Sequence, residues 1–383
     1  MKIYLSLLLS LILCDACTKR TAVVVETLEP SKAETHYADL LQMQELEEGR
    51  VLCRIMDPWR TETIVAQYLL VPRSDAHWSE TLKQTYDETY GTSTLLQTPL
   101  QHMTLTAGCH AWLLSELDAL DCMAVMCDTS YVMAPMVKQW LRTHDVKDGG
   151  SSNSPNMEVM LQAQSDAVWI SPLSTSNTSL LTSNANLPVI YCADYMENSP
   201  LGRAEWMKFY GRLAGQGQAA DSLFQLVATR YDSIAHSNPS NSSNSPLPPS
   251  LLPELPYGAT WYVPGGRSTS SLLYQDAGYN YPWADDTHAG SLSLSQEAVL
   301  TKACDCDVWF FKYMHADGDW TYEQFIQQNP YYGQFKAAKN GELWGCNTAT
   351  SDFFDVTPFR PDLLLESMVN NDGRWYKKIV RQL

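Results

Sequence analysis

From Val51 onward, short apolar segments alternate with helical segments, and this order limits the fold more than any other feature. Strands joined by helices in this way indicate an α/β fold built in layers. The order is interrupted once, by a helix predicted from residue 200 to about 233 whose one weak point is Gly215-Gln216-Gly217. Unbroken, this helix would be about 50 Å long at 1.5 Å per residue. The sequence therefore predicts two α/β halves that flank one long helix.

The individual elements follow from apolar runs, capping residues and Pro or Gly breaks. In the first half we predict a hairpin of strands around Asp57-Pro58-Trp59-Arg60, and then alternating strands and helices. The predicted strands are 51–56, 67–71, 103–107, 123–126, 167–170, 188–190, 260–263, 308–311 and 343–345. The predicted helices, apart from the long one, are 110–120, 134–143, 156–164, 270–277, 295–303 and 361–370.

Composition shifts divide the chain into six parts. Residues 1–16 are predicted to be a signal peptide, 17–50 a polar tether, and 51–198 the first α/β lobe. The connecting helix is assigned to 199–235. Residues 236–256 are rich in Ser, Asn and Pro, which predicts a mobile surface loop. The second α/β lobe is assigned to 257–383.

The N-terminus is predicted to direct export. Lys2 precedes an apolar run, residues 3–13, that is too short to span a bilayer, and Cys14 and Cys17 follow it. A cysteine directly after such a run is typical of a bacterial lipoprotein. Cys17, preceded by the small Ala16, is the preferred lipidated residue, with Cys14 as the alternative. An ordinary secreted protein cleaved near Ala16 remains the other interpretation. The predicted location is the bacterial cell envelope, facing the periplasm.

The remaining eight cysteines do not define a metal site. Cys304-Asp305-Cys306 lacks a second pair at zinc-site spacing, and small buried thiols explain most of the others. Export would permit disulfides, but one sequence does not give their pairing.

Charge and composition exclude several classes of function. The net charge is −17, without clusters of Lys and Arg, so nucleic-acid binding is excluded. Beyond the N-terminus, no apolar run approaches the roughly 20 residues that span a membrane. The chain has 12 Trp and 20 Tyr beside 9 Phe, and such amphipathic rings suit ligand clefts as well as cores.

No motif obliges catalysis. The chain has no G-x-S-x-G, P-loop or H-E-x-x-H motif, and its eight His are scattered. We therefore predict no catalytic residues, no metal site and no cofactor.

Five segments together resemble the periplasmic binding proteins that carry ferric siderophores, haem or vitamin B12 to ABC importers. Residues 193–215 are similar to that family's entry into its connecting helix, in a form associated with Bacteroidetes members. The other matching segments lie in the family's order and spacing, and the resemblance covers about residues 105–365. The segments are LTAGCHAWLLSELDALDCMAVMCD (105–128), SPNMEVMLQAQSDAVWIS (154–171), ADYMENSPLGRAEWMKFYGRLAG (193–215), SLSQEAVLTKACDCDVWFF (293–311) and FKAAKNGELW (335–344).

The resemblance implies the helical-backbone (class III) fold, in which two Rossmann-like lobes are joined by one long helix and hold the ligand between them. It implies a lipoprotein, not an enzyme, that captures a metal chelate or corrinoid as a monomer and delivers it to ABC permease subunits. The membrane would be contacted only through the lipid anchor. Residues before 105 exceed the family's usual N-terminal extension.

Ligands of open α/β sheets lie beyond the carboxyl ends of the strands, so we place the ligand-binding residues in those loops. Rings suit the flat apolar face of a chelate, and Arg suits its peripheral anionic groups. The alternative interpretation of Trp59 is that it covers its hairpin, and that of His110 is that it caps its helix. The predicted ligand-binding residues are Trp59, His110, Asp128, Tyr131, Tyr195, Arg267, Trp283 and Phe354.

Glu158 and Glu297 each fall at the start of a helix, one in each lobe. The resemblance implies that they dock the permease, whereas an acidic residue is also common at any helix N-terminus. Two rival functions stay open. One is an envelope hydrolase or chelate-processing enzyme using Asp128, His110 and Asp286, and the other is a receptor for a bare metal ion in the same fold.

Overall fold

The computed structural model describes residues 35–60, 62–171, 187–237 and 247–381. The predicted signal peptide (residues 1–16), Cys14 and the predicted lipidation site Cys17 lie outside these residues. Strands and helices are numbered below in chain order.

A four-stranded sheet precedes the first lobe. Its strands lie side by side in chain order. β1 with β2 and β2 with β3 pair antiparallel, whereas β3 and β4, which helix α1 connects, pair in parallel. The predicted hairpin is therefore confirmed. The predicted tether at 17–50 is wrong in the part where β1 forms. There, Leu41 and Met43 pack into the core and alternate with more exposed residues. The elements are β1 (Leu41–Glu45), β2 (Val51–Met56), β3 (Ile64–Pro72), α1 (Glu80–Tyr90) and β4 (Thr94–Thr98).

The first lobe is built on a parallel sheet in the order β11-β10-β5-β6-β7. Two predicted strands, β6 and β10, have the bounds expected from their apolar runs. The strands are β5 (Met103–Leu105), β6 (Met123–Met126), β7 (Lys147–Asp148), β10 (Ala167–Ile170) and β11 (Val189–Tyr191), with a small hairpin of β8 (Gly150–Ser151) and β9 (Ser154–Pro155). The helices are α2 (Gly108–Glu116), α3 (Pro135–Thr143) and α4 (Met157–Gln162).

The hydroxyl of Tyr68, on β3, joins the N-terminal sheet to edge strand β11. It donates to the Val189 carbonyl at 2.9 Å and accepts from the Tyr191 amide at 3.0 Å. The Tyr68 side chain thus satisfies an amide and a carbonyl of edge strand β11 that would otherwise be open to pairing with another strand.

The predicted single helix across 199–235 is wrong in one respect, because the chain reverses direction within it. Helices α5 (Pro200–Glu205) and α6 (Met207–Leu213) are followed by a turn and then α7 (Gly217–Ser237), which has 21 residues. Gly215 adopts a left-handed φ of 73° in this turn. Arg212 pairs with Asp221 at 2.9 Å, so α6 and α7 pack antiparallel. The reversal falls at the Gly-Gln-Gly sequence that the pattern marks as weak.

The second lobe has a sheet in the order β12-β15-β16-β17, and a separate antiparallel pair, β13 and β14. Its strands are β12 (Leu251–Pro253), β13 (Thr260–Pro264), β14 (Ser291–Ser295), β15 (Val308–Tyr313), β16 (Leu343–Asn347) and β17 (Lys377–Lys378). Its helices are α8 (Thr269–Asp276), α9 (Gln296–Ala303), α10 (Tyr322–Gln328), α11 (Lys336–Asn340), α12 (Phe353–Val356) and α13 (Pro361–Asn370).

The predicted loop at 236–256 is wrong in the part where β12 forms. Residues 238–246 of that loop lie outside the described part of the chain. Leu251 and Leu252 are fully buried, and β12 pairs in parallel with β15. Pro253 is tolerated because β12 is an edge strand, so a missing amide donor disrupts no interior ladder.

Most of the large aromatic side chains form the cores rather than a ligand surface. Trp169, Trp206, Trp261 and Trp309 are all fully buried. The cysteines of the described residues are thiols and mostly buried, and burial raises the pKa of Cys109 to about 12. The prediction of small buried thiols is confirmed for these positions.

The contact between α6 and α7 gives a test of the reversal. A Cβ on Gly211 would lie 2.3 Å from the Cβ of Ala220, so the two helices would have to move apart. We expect Gly211→Ala to lower the free energy of unfolding by about 1–3 kcal/mol, although alanine normally favours a helix. Chemical denaturation measures this. Gly333→Ala, whose Cβ would meet only an ordinary contact at 3.7 Å, is the control, and an equal loss in both variants would contradict the packing.

Candidate ligand-binding cleft between the lobes

The two lobes meet where the parallel strands of their sheets end. Helix α2 follows β5 in the first lobe, α12 follows β16 in the second, and these two helices pack against each other. This is the edge at which open α/β sheets bind ligands. The space on both sides of the α2–α12 contact is called the interlobe cleft below.

The first cavity of the interlobe cleft, cavity A, has a volume of about 230 Å³ and is largely polar. Met133 and Pro135 line it from the first lobe. The Lys377 ammonium donates to Asp319 at 2.9 Å, and the indole of Trp375 donates to Asp352 at 2.9 Å. The second-lobe residues that line cavity A are Asp319, Asn347, Thr350, Ser351, Asp352, Arg374, Trp375 and Lys377.

The second cavity, cavity B, has a volume of about 210 Å³ and combines apolar walls with two cations. Arg203 contributes one cation, and its guanidinium lies 3.3 Å from Asp194. Lys312 contributes the other. Burial alone would lower its pKa, but the Glu254 carboxylate with which it pairs raises the pKa of Lys312 instead. Cavity B is lined by Pro200, Arg203, Thr269, Ser270, Leu273, Tyr274, Lys312, Phe353, Phe354, Thr357, Pro358, Pro361, Leu364 and Tyr376.

Several predicted ligand-binding residues remain accessible. Phe354 is 59% exposed and lines cavity B. Tyr131 is 69% exposed in the turn that leads to Met133 of cavity A. Tyr195 is half-buried in the turn before α5, where burial and then Asp194 raise its pKa.

Asp128 and Arg267 lie in loops beyond strand ends, as predicted, but they line neither cavity. Asp128 accepts from the Ser152 amide at 3.2 Å, and the backbone of exposed Arg267 donates to the His288 carbonyl. Trp59 is 54% exposed and also lines neither cavity. Its amide donates to the Asp57 carboxylate at 2.8 Å, which stabilises the hairpin turn.

Two predicted ligand contacts need correction because their side chains are buried. Trp283 is 6% exposed, packs on Tyr281 and lies under the Lys302 ammonium. His110 is fully buried, and its Nε2 lies 3.2 Å from the Asp194 carboxylate. Its ring packs on Trp169 and Tyr210. Both side chains are packed in the cores of the lobes.

Asp194 is the centre of a buried polar network beside cavity B. Its carboxylate accepts from the Tyr210 hydroxyl at 2.9 Å and pairs with His110 and Arg203. Burial alone would raise the pKa of Asp194, but these partners lower the pKa to about 2. The network joins α2, the turn at 194–196 and the linking helices.

Glu158 and Glu297 occupy the same position in two capped helices. Each is exposed and is the second residue of its helix, after the capping side chains of Asn156 and Ser295. The backbone amide and Ser295 lower the pKa of Glu297. The predicted placement, one glutamate at a helix start in each lobe, agrees with the structure, whereas their role in docking stays a prediction.

The sequence did not predict a carboxylate contact between the two lobes. Asp355, on α12 of the second lobe, accepts from the amides of Met133 and Ala134 at the start of α3. The lining cations Arg203, Lys312, Arg374 and Lys377 were also missed. No local pattern marks them, because they are assembled from separate elements.

The rival catalytic group is not assembled. His110 pairs with Asp194, Asp128 with the Ser152 amide, and Asp286 with His288. Within the described ranges, no three His, Cys, Asp or Glu side chains are placed to hold a metal ion. In the same part of the chain, no helix has the length and apolarity to cross a membrane.

Comparison with known proteins agrees with this architecture. A family model described as periplasmic binding protein matches residues 121–349, more than half of the chain. The chain therefore belongs to the periplasmic binding protein family. Its members are substrate-binding proteins rather than enzymes, which confirms the predicted family and the prediction that the chain is not an enzyme.

Individual relatives are distant. An uncharacterized lipoprotein of Methanocaldococcus jannaschii is 27% identical over 51% of this chain and 46% of its own length. A second uncharacterized lipoprotein from that organism is 24% identical over 55% of this chain and 54% of its own length. The chain thus spans about half the length of these relatives.

Two solved structures show the similarity of the fold. An ABC-type Fe3+-hydroxamate transport protein from Saccharomonospora viridis has a TM-score of 0.55 at 18% identity, over 74% of this chain and 97% of that one. A periplasmic haem-binding protein from Pseudomonas aeruginosa has a TM-score of 0.56 at 17% identity, over 73% and 95%. The predicted two-lobed, helix-linked fold class is confirmed.

The Asp194 network predicts a stability effect at acid pH. Because the folded-state pKa of about 2 lies below the ordinary 3.8, ionised Asp194 stabilises the fold above about pH 4, and this contribution is lost between about pH 4 and 2. We expect the unfolding free energy of the wild type to fall over that window by about 2 kcal/mol more than that of Asp194→Asn. Denaturation at each pH measures it. The surface variant Asp145→Asn should keep the wild-type slope, and parallel slopes for Asp194→Asn and wild type would contradict the network.

Proposed function

We propose that this protein is a lipid-anchored substrate-binding protein of an ABC importer. It captures an iron chelate, either a siderophore or haem, or cobalamin between its lobes and delivers it, as a monomer, to permease subunits at the cell envelope. The observation that carries the proposal is the interlobe cleft, in which cavity A is lined from both lobes and cavity B lies between α5 and the second lobe.

The chemistry of the cavity walls supports a broad, mostly apolar ligand with anionic groups at its edge. Phe353, Phe354 and Pro358 supply apolar surface in cavity B, while Arg203 and Lys312, each paired with a carboxylate, supply N–H donors. Rings and prolines pack against flat apolar faces, and guanidinium groups bind carboxylates. The similarity in fold to proteins named for Fe3+-hydroxamate transport and haem binding points to the same ligand class.

The lipid anchor is supported by the N-terminal sequence and by the relatives. Lys2, the apolar run and Cys17 have the order of a lipoprotein signal, and both Methanocaldococcus relatives are named lipoproteins. Lipidation at Cys17 would hold the protein at the membrane.

Ligand binding is tested with a ferric hydroxamate siderophore, haem and cyanocobalamin. We expect saturable tryptophan quenching with one of them, and about tenfold weaker binding by Phe354→Ala, because the exposed ring at cavity B provides packing area. Tyr331→Ala removes a ring of similar exposure, 61% against 59%, that lines neither cavity, and it should bind as the wild type does. No quenching and no thermal shift with any of the three ligands would refute the proposed function.

Permease docking is tested with the double variant Glu158→Ala/Glu297→Ala. One acidic contact on each lobe would let the permease read the lobe separation, so we expect ligand binding to be unchanged and ligand uptake by cells to fall several-fold. The matched control is Glu80→Ala/Glu323→Ala, which removes two exposed glutamates from the first turns of other capped helices. Wild-type uptake in the first variant, or an equal loss in both, would show that these glutamates do not dock the permease.

A further inference from the structure

A second-lobe carboxylate is buried against the first lobe in the middle of the cleft. Asp355 is only 4% exposed, and its Oδ2 accepts from the amides of Met133 and Ala134, each at 2.7 Å. Its Oδ1 faces Gly108, where a Cβ would come within 2.2 Å. The second lobe therefore contacts two separate loops of the first lobe through one side chain.

The partners of Asp355 fit a carboxylate in particular. Both amides stand at the N-terminus of α3, where backbone donors have no partner within the helix and where Pro135 begins the first turn. A negative charge is stabilised at that end of a helix. The absence of a side chain at Gly108 allows the close approach. A buried carboxylate is destabilising unless such hydrogen bonds satisfy it, so separating the lobes would leave both sides of the contact unpaired.

The same contact divides the cleft. Ser351 and Asp352, before α12, line cavity A, whereas Phe353 and Phe354, at its start, line cavity B. Cavities of about 230 and 210 Å³ each fall below the roughly 300–1,000 Å³ typical of small-molecule sites. A ligand of ordinary size therefore needs a wider cleft than this one.

We propose that Asp355 is an interlobe latch that closes the ligand-free cleft by binding the Met133 and Ala134 amides, and that ligand enters only when this contact opens. A ligand then competes with the latch, so the latch lowers the apparent affinity and sets the width of the resting cleft. The existence of the latch is independent of the ligand, while its effect on affinity rests on the proposed function.

The latch is tested on the ligand-free protein by hydrogen exchange and small-angle X-ray scattering. In Asp355→Ala we expect the amides of residues 133 and 134 to exchange about tenfold faster or more, together with a larger radius of gyration. Gly108→Ala places a methyl group against Asp355 from the first lobe, so it should also speed exchange of these amides and enlarge the radius of gyration. The controls Asp285→Ala and Gly290→Ala, an exposed carboxylate and a glycine with open space, should behave as wild type.

The double variant Gly108→Ala/Asp355→Ala makes the test specific. Once the carboxylate is gone, the added methyl group meets only an ordinary contact with Val132 at 3.7 Å, so the double variant should match Asp355→Ala alone. If Asp355→Ala does not fold, as judged by circular dichroism, Gly108→Ala alone carries the exchange and scattering comparison with its control Gly290→Ala. Unchanged exchange in the folded variants would overturn the latch, as would faster exchange with unchanged scattering.

Ligand-binding measurements distinguish a failure of the latch proposal from a failure of the proposed function. With whichever chelate binds the wild type, we expect severalfold tighter binding to Asp355→Ala, because the ligand no longer displaces the carboxylate. Weaker or equal binding would show that the latch does not oppose ligand. If no chelate binds any variant, the proposed function fails, whereas exchange and scattering still decide whether the latch exists.

Discussion

Three carboxylates buried within twelve residues of chain hold the centre of the molecule together. Asp194, Glu197 and Glu205 are each at most 4% exposed, and a buried charge is tolerated only where hydrogen bonds satisfy it. Glu205 accepts from the amides of residues 36–38, and Glu197 accepts from those of residues 39 and 40 and from the Trp206 indole. Asp194 binds His110 of the first lobe. The N-terminal segment, the first lobe and the start of the linker are therefore fixed to one another.

The other end of the linker belongs to the second lobe. Arg230 on α7 pairs with Asp362 at 3.3 Å and with Glu366 at 3.0 Å, both on α13, and the Tyr231 hydroxyl donates to Asp276 of α8. One half of the helical hairpin is thus attached to each lobe. Because Gly211 packs on Ala220 and Arg212 pairs with Asp221, the start of α7 is held to α6, and the two lobes are linked through the rest of this 21-residue helix. A helical link of this kind limits relative motion of the lobes to small amplitudes.

Local sequence signals were sufficient for most elements, but contacts distant in sequence were not. Helix 361–370 and strands 123–126 and 167–170 have the predicted bounds because Pro caps and apolar runs act locally. The helix reversal falls at Gly215-Gln216-Gly217, which the pattern already marks as weak, whereas the burial of His110 depends on partners 84 and 100 positions away in Asp194 and Tyr210. Asp355 binds an amide 222 positions distant. Such pairings decide the site, and no single segment encodes them.

The packing of the aromatic residues inside the lobes explains how the Asp355 contact can influence the whole cleft. The largest rings fill the two lobes, where Trp309 alone packs against Trp261, Phe325, Tyr332 and Phe335. Closely packed interiors deform little, so each lobe moves as a unit. A displacement at α12 is then transmitted to the whole second lobe rather than absorbed within it. The two hydrogen bonds of Asp355, together with the packing of α12 on α2, therefore act on the separation of whole lobes, and hence on the space open to a ligand.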